Sequence, residues 1–155
     1  MGKIAAGKKV PDFTAKTSDG RPWRLADAHG SKLVIYFYPK DMTPGCTLEA
    51  QQFRDLQGAF RKAGATVLGV SRDSCASHAK FRARDNLEFE LLSDDDEALC
   101  KAFDVIKEKN MYGKKVMGIE RSTFLIGADG LLAREWRKVK ADGHAAEVLE
   151  AVKAL

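Results

Sequence analysis

Cysteine is scarce and scattered in this chain. Three occur in 155 residues, Cys46, Cys75 and Cys100, and no two approach CxxC spacing. An odd, isolated set argues against a secreted disulfide framework. Zinc sites draw on closely paired Cys or His ligands, so neither a metal nor another cofactor is expected. Histidine is equally sparse: His29, His78 and His144 share no spacing with one another or with Cys46, and all three read as non-catalytic. No apolar run approaches the ~20 residues that cross a bilayer, so no membrane-spanning helix is expected. The opening MGKIAAGKKV lacks a hydrophobic signal core, and Ala6 stands where a myristoylation motif has Ser or Thr. A cytoplasmic protein is the expectation. Repeats, low-complexity tracts and linkers are also missing, and the length suits one domain, 1–155, with a real core. The formal net charge is +4. Basic residues are spread out, with mild clusters at 107–115 and 134–140. They form no stripe interleaved with aromatics, so they read as solvated faces and not as a nucleic-acid surface.

Proline numbers only four, yet two of them, Pro39 and Pro44, fall in the stretch around which the chain is organised, YFYPKDMTPGCTLEAQQFR from Tyr36 to Arg54. Leu33 to Tyr38 is an apolar, β-favouring run and predicts a buried strand ending at Pro39. A helical pattern starts with Thr43-Pro44-Gly45-Cys46. Thr43 suits an N-cap and Pro44 the first helical position. Cys46 then occupies the third helical position, among backbone N–H groups without intrahelical partners and at the positive end of the helix dipole. That setting favours a thiolate and so a reactive sulfur.

Along the rest of the chain, Val10 to Thr17 and Arg21 to Leu25 flank the turn signal Ser18-Asp19-Gly20 and predict an N-terminal β-hairpin. The helix from Thr43 is expected to run to Ala63, with Ala50, Phe53, Leu56, Phe60 and Ala63 on one face and Gly64 as its stop. Strands are expected at Ala65 to Val70 and Phe89 to Leu92, and helices at Ser74 to Asn86 and Asp96 to Phe103. The polar stretch 107–115 reads as a loop. Ser122 to Ile126 and Leu131 to Trp136 form strands around Ala128-Asp129-Gly130, and a helix closes the chain from Gly143 to Leu155. Alternating strands and helices give an α/β sheet covered on both faces, made mixed by the terminal hairpin. The strands at Leu33 and Ala65 should be parallel, which places the helix starts bearing Cys46 and Cys75 at one sheet edge.

Pro39-x-x-x-Thr43-x-x-Cys46 resembles the active-site signature of the peroxiredoxins. Phe37 to Asp41 and Thr43-Pro44-Gly45-Cys46-Thr47-x-Glu49-Ala50 are similar to the bacterioferritin comigratory protein, or peroxiredoxin Q, branch, and Arg121-Ser122-Thr123-Phe124-Leu125-Ile126 matches the strand carrying that family's arginine. The likeness extends over nearly the whole chain, including GVSRDS and LLSD. It implies a thioredoxin-like fold and reduction of hydrogen peroxide and alkyl hydroperoxides by a peroxidatic cysteine. It further implies regeneration by thioredoxin, glutaredoxin or a small thiol, and a monomer.

Carried onto this sequence, Cys46 attacks the peroxide as thiolate and becomes a sulfenic acid. Arg121 supplies a fixed cation that lowers the thiol pKa and stabilises the leaving oxygen. The Thr43 hydroxyl caps the helix and hydrogen-bonds sulfur or peroxide, and the N–H groups of Gly45 and Cys46 add donors. Pro39 and Pro44 stiffen and shield the loop. Glu49 either holds the helix start or positions Arg121. The second, resolving cysteine of many relatives is missing: Gln51 stands five positions after Cys46, and Arg82 stands where another branch has its partner. Cys75 is the first candidate to resolve, narrowly ahead of no internal partner, with Cys100 third and read as buried and structural. A Cys46–Cys75 disulfide needs Cα atoms within ~7 Å, so the first turn of the Cys46 helix would have to unwind. Two other functions compete: a thioredoxin-type disulfide reductase, disfavoured because Cys46-Thr47-Leu48-Glu49 lacks a neighbouring thiol, and a non-enzymatic thiol redox sensor.

Overall fold

The computed structural model describes residues 4–155; the first part of the N-terminal segment read above for signal or acylation lies outside the described residues. β1 (Thr14–Thr17) and β2 (Pro22–Arg24) form the expected hairpin. β3 (Lys32–Phe37) follows, five of its six residues buried, because a strand covered on both faces has no side to give to water. Next come α1 (Pro44–Asp55), α2 (Gln57–Lys62), β4 (Ala65–Ser71), α3 (Cys75–Asp85), β5 (Glu90–Ser93) and α4 (Ala98–Ala102). β6 (Ile106–Met111) and β7 (Lys114–Ile119) pair with each other, and β8 (Ser122–Ile126), β9 (Leu132–Trp136) and α5 (His144–Ala154) complete the chain.

Seven strands make one mixed sheet in the order β2-β1-β5-β4-β3-β8-β9. The central β3 lies parallel to β4, with Phe37 opposite Val70, and antiparallel to β8. Alternation along β3 divides the core in two. Val34, Tyr36 and Tyr38 join Cys46, Ala50, Phe53, Phe60 and Phe81 on the face covered by α1, α2, α3 and α5. Leu33, Ile35 and Phe37 join Leu99, Cys100 and Phe103 on the opposite face. Tyr36 stacks on Phe53 with centroids 4.6 Å apart, which holds α1 on the sheet. A stacked aromatic pair of this kind adds about 0.5–1.5 kcal/mol beyond the area it buries. Gly69 on β4 lies under that ring: a Cβ there would stand 2.9 Å from Tyr36 Cζ and 2.7 Å from Leu91 Cδ2, so the strand needs glycine.

Two sequence expectations fail. Residues 107–115 are not a loop. They belong to the β6–β7 hairpin, whose two-residue turn, Tyr112-Gly113, has positive φ at both positions, 54° and 81°. That conformation suits the twist of a hairpin, and the missed signal is Tyr-Gly, a less familiar form of Asn-Gly. The helix expected from Thr43 to Ala63 is two helices. Leu56, with ψ 5°, lies outside helical geometry, and Gly58, a poor helix former, sits in the first turn after it.

Candidate active site

Cys46 is the third residue of α1 and is 2% exposed. Thr43 has the extended backbone of an N-cap, and its carbonyl accepts the first helical bond from Thr47 N–H at 2.8 Å. Its side chain makes no cap bond and no bond to sulfur; the hydroxyl donates to the Lys40 carbonyl at 2.8 Å, which folds the loop into a turn. This corrects the side-chain capping expected of Thr43 and leaves its oxygen lone pairs as acceptors.

Arg121, immediately before β8, lies next to the end of β3 and reaches the start of α1. Its Nη2 donates to Cys46 Sγ at 3.4 Å and its Nη1 donates to Glu49 Oε1 at 2.7 Å. One guanidinium thus grips two positions on one helical face. Glu49 is fully buried, and of the two roles read for it the geometry supports the second: it anchors Arg121. Burial pushes the Glu49 carboxyl up to about 7, against the opposing pull of Arg121. For Arg121 burial acts downward, but Glu49 and Cys46 outweigh it and hold its pKa above the ordinary value. Gly45 is also part of the site, for a reason sequence reading missed. A Cβ there would lie 3.2 Å from Arg121 Nη2, so the bare backbone gives the guanidinium its lane to the sulfur. β3 ends at Phe37, two residues before Pro39, and Pro44 opens the helix as expected.

The other cysteines are placed apart. All three are free thiols. Cys100, buried in α4, lies in the core cluster on the opposite face of the sheet from Cys46. Burial, with Asp94 beside it, pushes its thiol well above the ordinary range. Cys75 is half-buried and opens α3, and β3 and β4 are parallel as expected. The helices are not in step, however. Thr47 Oγ1 accepts from Arg84 at 2.9 Å, and Gln51 donates to Asp85 at 3.1 Å. The first turns of α1 therefore lie beside the last turn of α3, about 14 Å along its axis from Cys75 at the rise of an α-helix. Arg82 is bound to Glu90 and the Leu87 carbonyl. Gln51 and Arg82 are thus hydrogen-bonded struts.

His29 is exposed. His144 hydrogen-bonds Thr123 at 2.7 Å and packs edge-on against Phe53 and Trp136. His78 is buried in a polar network under the loop that precedes Cys46, a placement its lack of sequence spacing did not signal.

Fold and site together define an α/β protein with a buried helix-start cysteine in contact with a fixed cation. Comparison with known proteins identifies the class. The model of the AhpC/TSA family matches residues 6–135. Peroxiredoxin Bcp of Xanthomonas campestris pv. campestris is 58% identical over 143 residues, 92% of this chain and 89% of that protein. A solved structure of the Xanthomonas campestris bacterioferritin comigratory protein, from work on its alkyl peroxide reduction activity, aligns with a TM-score of 0.88 at 57% identity, covering 92% of this chain and 90% of that one. A cysteine-to-serine mutant of Xylella fastidiosa peroxiredoxin Q aligns at 0.93 and 47% identity, covering 99% and 98%. The chain belongs to the AhpC/TSA family and, within it, to the peroxiredoxin Q or bacterioferritin comigratory protein group, with the thioredoxin-like fold of those structures. No helix among the described residues is long and apolar enough to cross a membrane.

Proposed function

We propose that this protein is a thiol peroxidase that reduces hydrogen peroxide and alkyl hydroperoxides at Cys46 and is regenerated by an external thiol reductant of the thioredoxin or glutaredoxin type. The observation that carries the reading is the Arg121 bridge, 3.4 Å from the Cys46 sulfur and anchored by Glu49. The Cys46 thiolate attacks the terminal peroxide oxygen. An S–O bond forms, the O–O bond breaks, and the sulfur loses two electrons to the peroxide. The alkoxide or hydroxide released takes a proton from water. Arg121 stabilises charge on the departing oxygen, where a positioned donor has its largest effect. The Thr43 oxygen accepts from the peroxide O–H, and the N–H groups of Gly45 and Cys46 precede the first helical bond and donate to the bound oxygens. Pro39 and Pro44 hold the loop around this single approach.

A reductant thiol then condenses with the sulfenic acid to give a mixed disulfide and water, and a second thiol releases Cys46. External resolution is favoured because the Gln51 and Arg82 struts tie α1 and α3 in place and Cys75 lies far along α3. The enzyme works as a cytoplasmic monomer, which elution with light scattering and cell fractionation test. Intact mass after one equivalent of peroxide tests the chemistry. A gain of one oxygen, abolished in Cys46→Ser and kept in Cys75→Ser and Cys100→Ser, is expected. Loss of two mass units that disappears in Cys75→Ser would make Cys75 the resolving thiol. Insulin reduction by the protein would favour the disulfide reductase instead. Very slow peroxide consumption with a partner bound only after oxidation would favour a sensor.

A further inference from the structure

Beneath the loop that leads to Cys46 lies a polar cluster that the peroxide reaction, as described, does not use. The Asp41 side chain is 1% exposed and that of His78 is 0%. Asp41 Oδ1 accepts from Tyr38 Oη at 2.6 Å. Asp41 Oδ2 faces Ser77 Oγ at 2.8 Å and His78 Nδ1 at 2.7 Å. His78 Nε2 stands 3.0 Å from the Leu92 carbonyl, which can only accept, so Nε2 carries a proton. The other ring nitrogen faces a carboxylate oxygen, so a proton must also lie between Nδ1 and Oδ2. Donor counting thus places one shared proton inside the Asp41–His78 pair and makes the pair neutral as a whole. Burial keeps the Tyr38 phenol protonated, as its donor role requires.

The backbone joins the same cluster. Asp41 N–H donates to Asp73 Oδ2 at 2.9 Å, Ser71 Oγ donates to that oxygen at 2.5 Å, and Ser93 Oγ donates to the Asp73 carbonyl at 2.6 Å. Tyr38, Ser71 and Ser93 stand at the carboxyl ends of β3, β4 and β5, the three parallel strands. Asp41, Asp73 and His78 bring potential metal ligands within 4.8 Å of one another. However, the side-chain oxygens of Asp41 and both nitrogens of His78 are already engaged, so the cluster is a hydrogen-bond lattice and not a cation site. Directly after Asp41, Met42 takes a positive φ of 63°, a conformation that a non-glycine residue holds only under constraint, and then Thr43 and α1 begin.

We propose that Asp41 and His78 are positioning residues of the peroxide reaction: the pair pins loop 39–43 to the ends of three parallel strands and so sets where Cys46 stands against Arg121. The inference rests on Cys46 being the nucleophile. Stopped-flow oxidation of the reduced protein by hydrogen peroxide, without reductant, tests it beside thermal unfolding of each variant. Asp41→Ala and His78→Leu should slow the first turnover about 10²-fold, the usual effect of displacing a reacting group by an ångström. Asp41→Asn keeps the acceptor for Tyr38 and can donate to Nδ1 of a neutral His78, so its rate should stay within about 5-fold of wild type, the worth of one altered hydrogen bond. A purely structural cluster would lower the unfolding temperature and leave the rate of the folded molecules unchanged. A folded Asp41→Ala protein oxidised at the wild-type rate, or an Asn variant as slow as the Ala variant, overturns the proposal. Should both disruptive variants fail to fold, nitrogen-15 NMR of the wild type decides: His78 must show a slowly exchanging Nε2–H and a hydrogen-bonded Nδ1, and a solvent-exchanging ring sinks the idea. Peroxide consumption by Cys46→Ser would instead remove the underlying reading, and is distinguishable because it needs no loop variant.

Discussion

Nη2 of Arg121 lies 3.4 Å from Sγ of Cys46, across 75 residues of sequence. The second branch of the same guanidinium donates to Glu49 at 2.7 Å, so the cation cannot swing away without breaking a hydrogen bond to a fully buried carboxyl group. Arg121→Ala should lower the rate of Cys46 oxidation by about 10²–10³, as loss of one transition-state donor does elsewhere. Arg121→Lys should recover only part of that loss, because an ammonium is a point charge and not a planar fork that spans two acceptors. Single-turnover kinetics at several peroxide concentrations measure both, and a lysine variant at wild-type speed would show that charge alone suffices.

Gly45 should tolerate no side chain without a kinetic cost. The added Cβ of Gly45→Ala meets Nη2 at 3.2 Å, so the guanidinium must retreat by a few tenths of an ångström. Gly45 sits in the first turn of α1, where alanine is the better helix former, so stability should hold or rise slightly. The expected signature is a slower first turnover with an unchanged or higher unfolding temperature. A variant that is both stable and fully active would mean the guanidinium has slack.

Glu49 makes stability depend on pH in a definite direction. Burial raises its carboxyl from 4.5 to about 7 in the folded protein. Between those values the native state holds a proton that the unfolded chain has released, so stability is fully present below about 4.5 and is lost as pH rises through 7. The loss is on the order of 3 kcal/mol. Glu49→Gln removes the titrating group, so the difference in unfolding free energy between variant and wild type should shift in favour of the variant from pH 5 to pH 8. Parallel curves would place the Glu49 carboxyl in its ordinary range.

Thiol labelling should separate the two remaining cysteines. Cys100 is buried and its thiol is held protonated by burial and by Asp94, whereas Cys75 is half-buried at a helix start. Iodoacetamide applied to the folded protein should modify Cys75 first and reach Cys100 only as the chain unfolds, because the thiolate is the reacting form. Peptide mass mapping over time checks the order, and early modification of Cys100 would contradict the packing described.

Much of the fold is legible in the sequence because it is written in local patterns. The continuous apolar run of β3, the Thr-Pro start of α1 and the turn signals Ser-Asp-Gly and Ala-Asp-Gly each fix an element from its own residues. The β6–β7 hairpin escaped because its strands are polar and largely exposed, and carry little of the alternation that marks a half-buried strand. The break at Leu56 escaped because the apolar spacing runs unbroken through it. Arg121 and Glu49 were picked out by family resemblance, but nothing in their spacing says that they meet. Asp41 and His78 lie 37 positions apart and carry no motif that pairs them.

By itself, then, the chain determined where a cysteine stands at a helix start: a strand, a turn and a helix start are short-range objects, and contiguous residues suffice to specify them. Only the tertiary structure decided what surrounds that sulfur. It selected Arg121 as the cation, put Cys100 behind the sheet, set the start of α1 beside the end of α3, and drew a histidine and two aspartates beneath the loop. These choices depend on how twisted strands and packed helices bring distant segments together, and that geometry belongs to the folded whole.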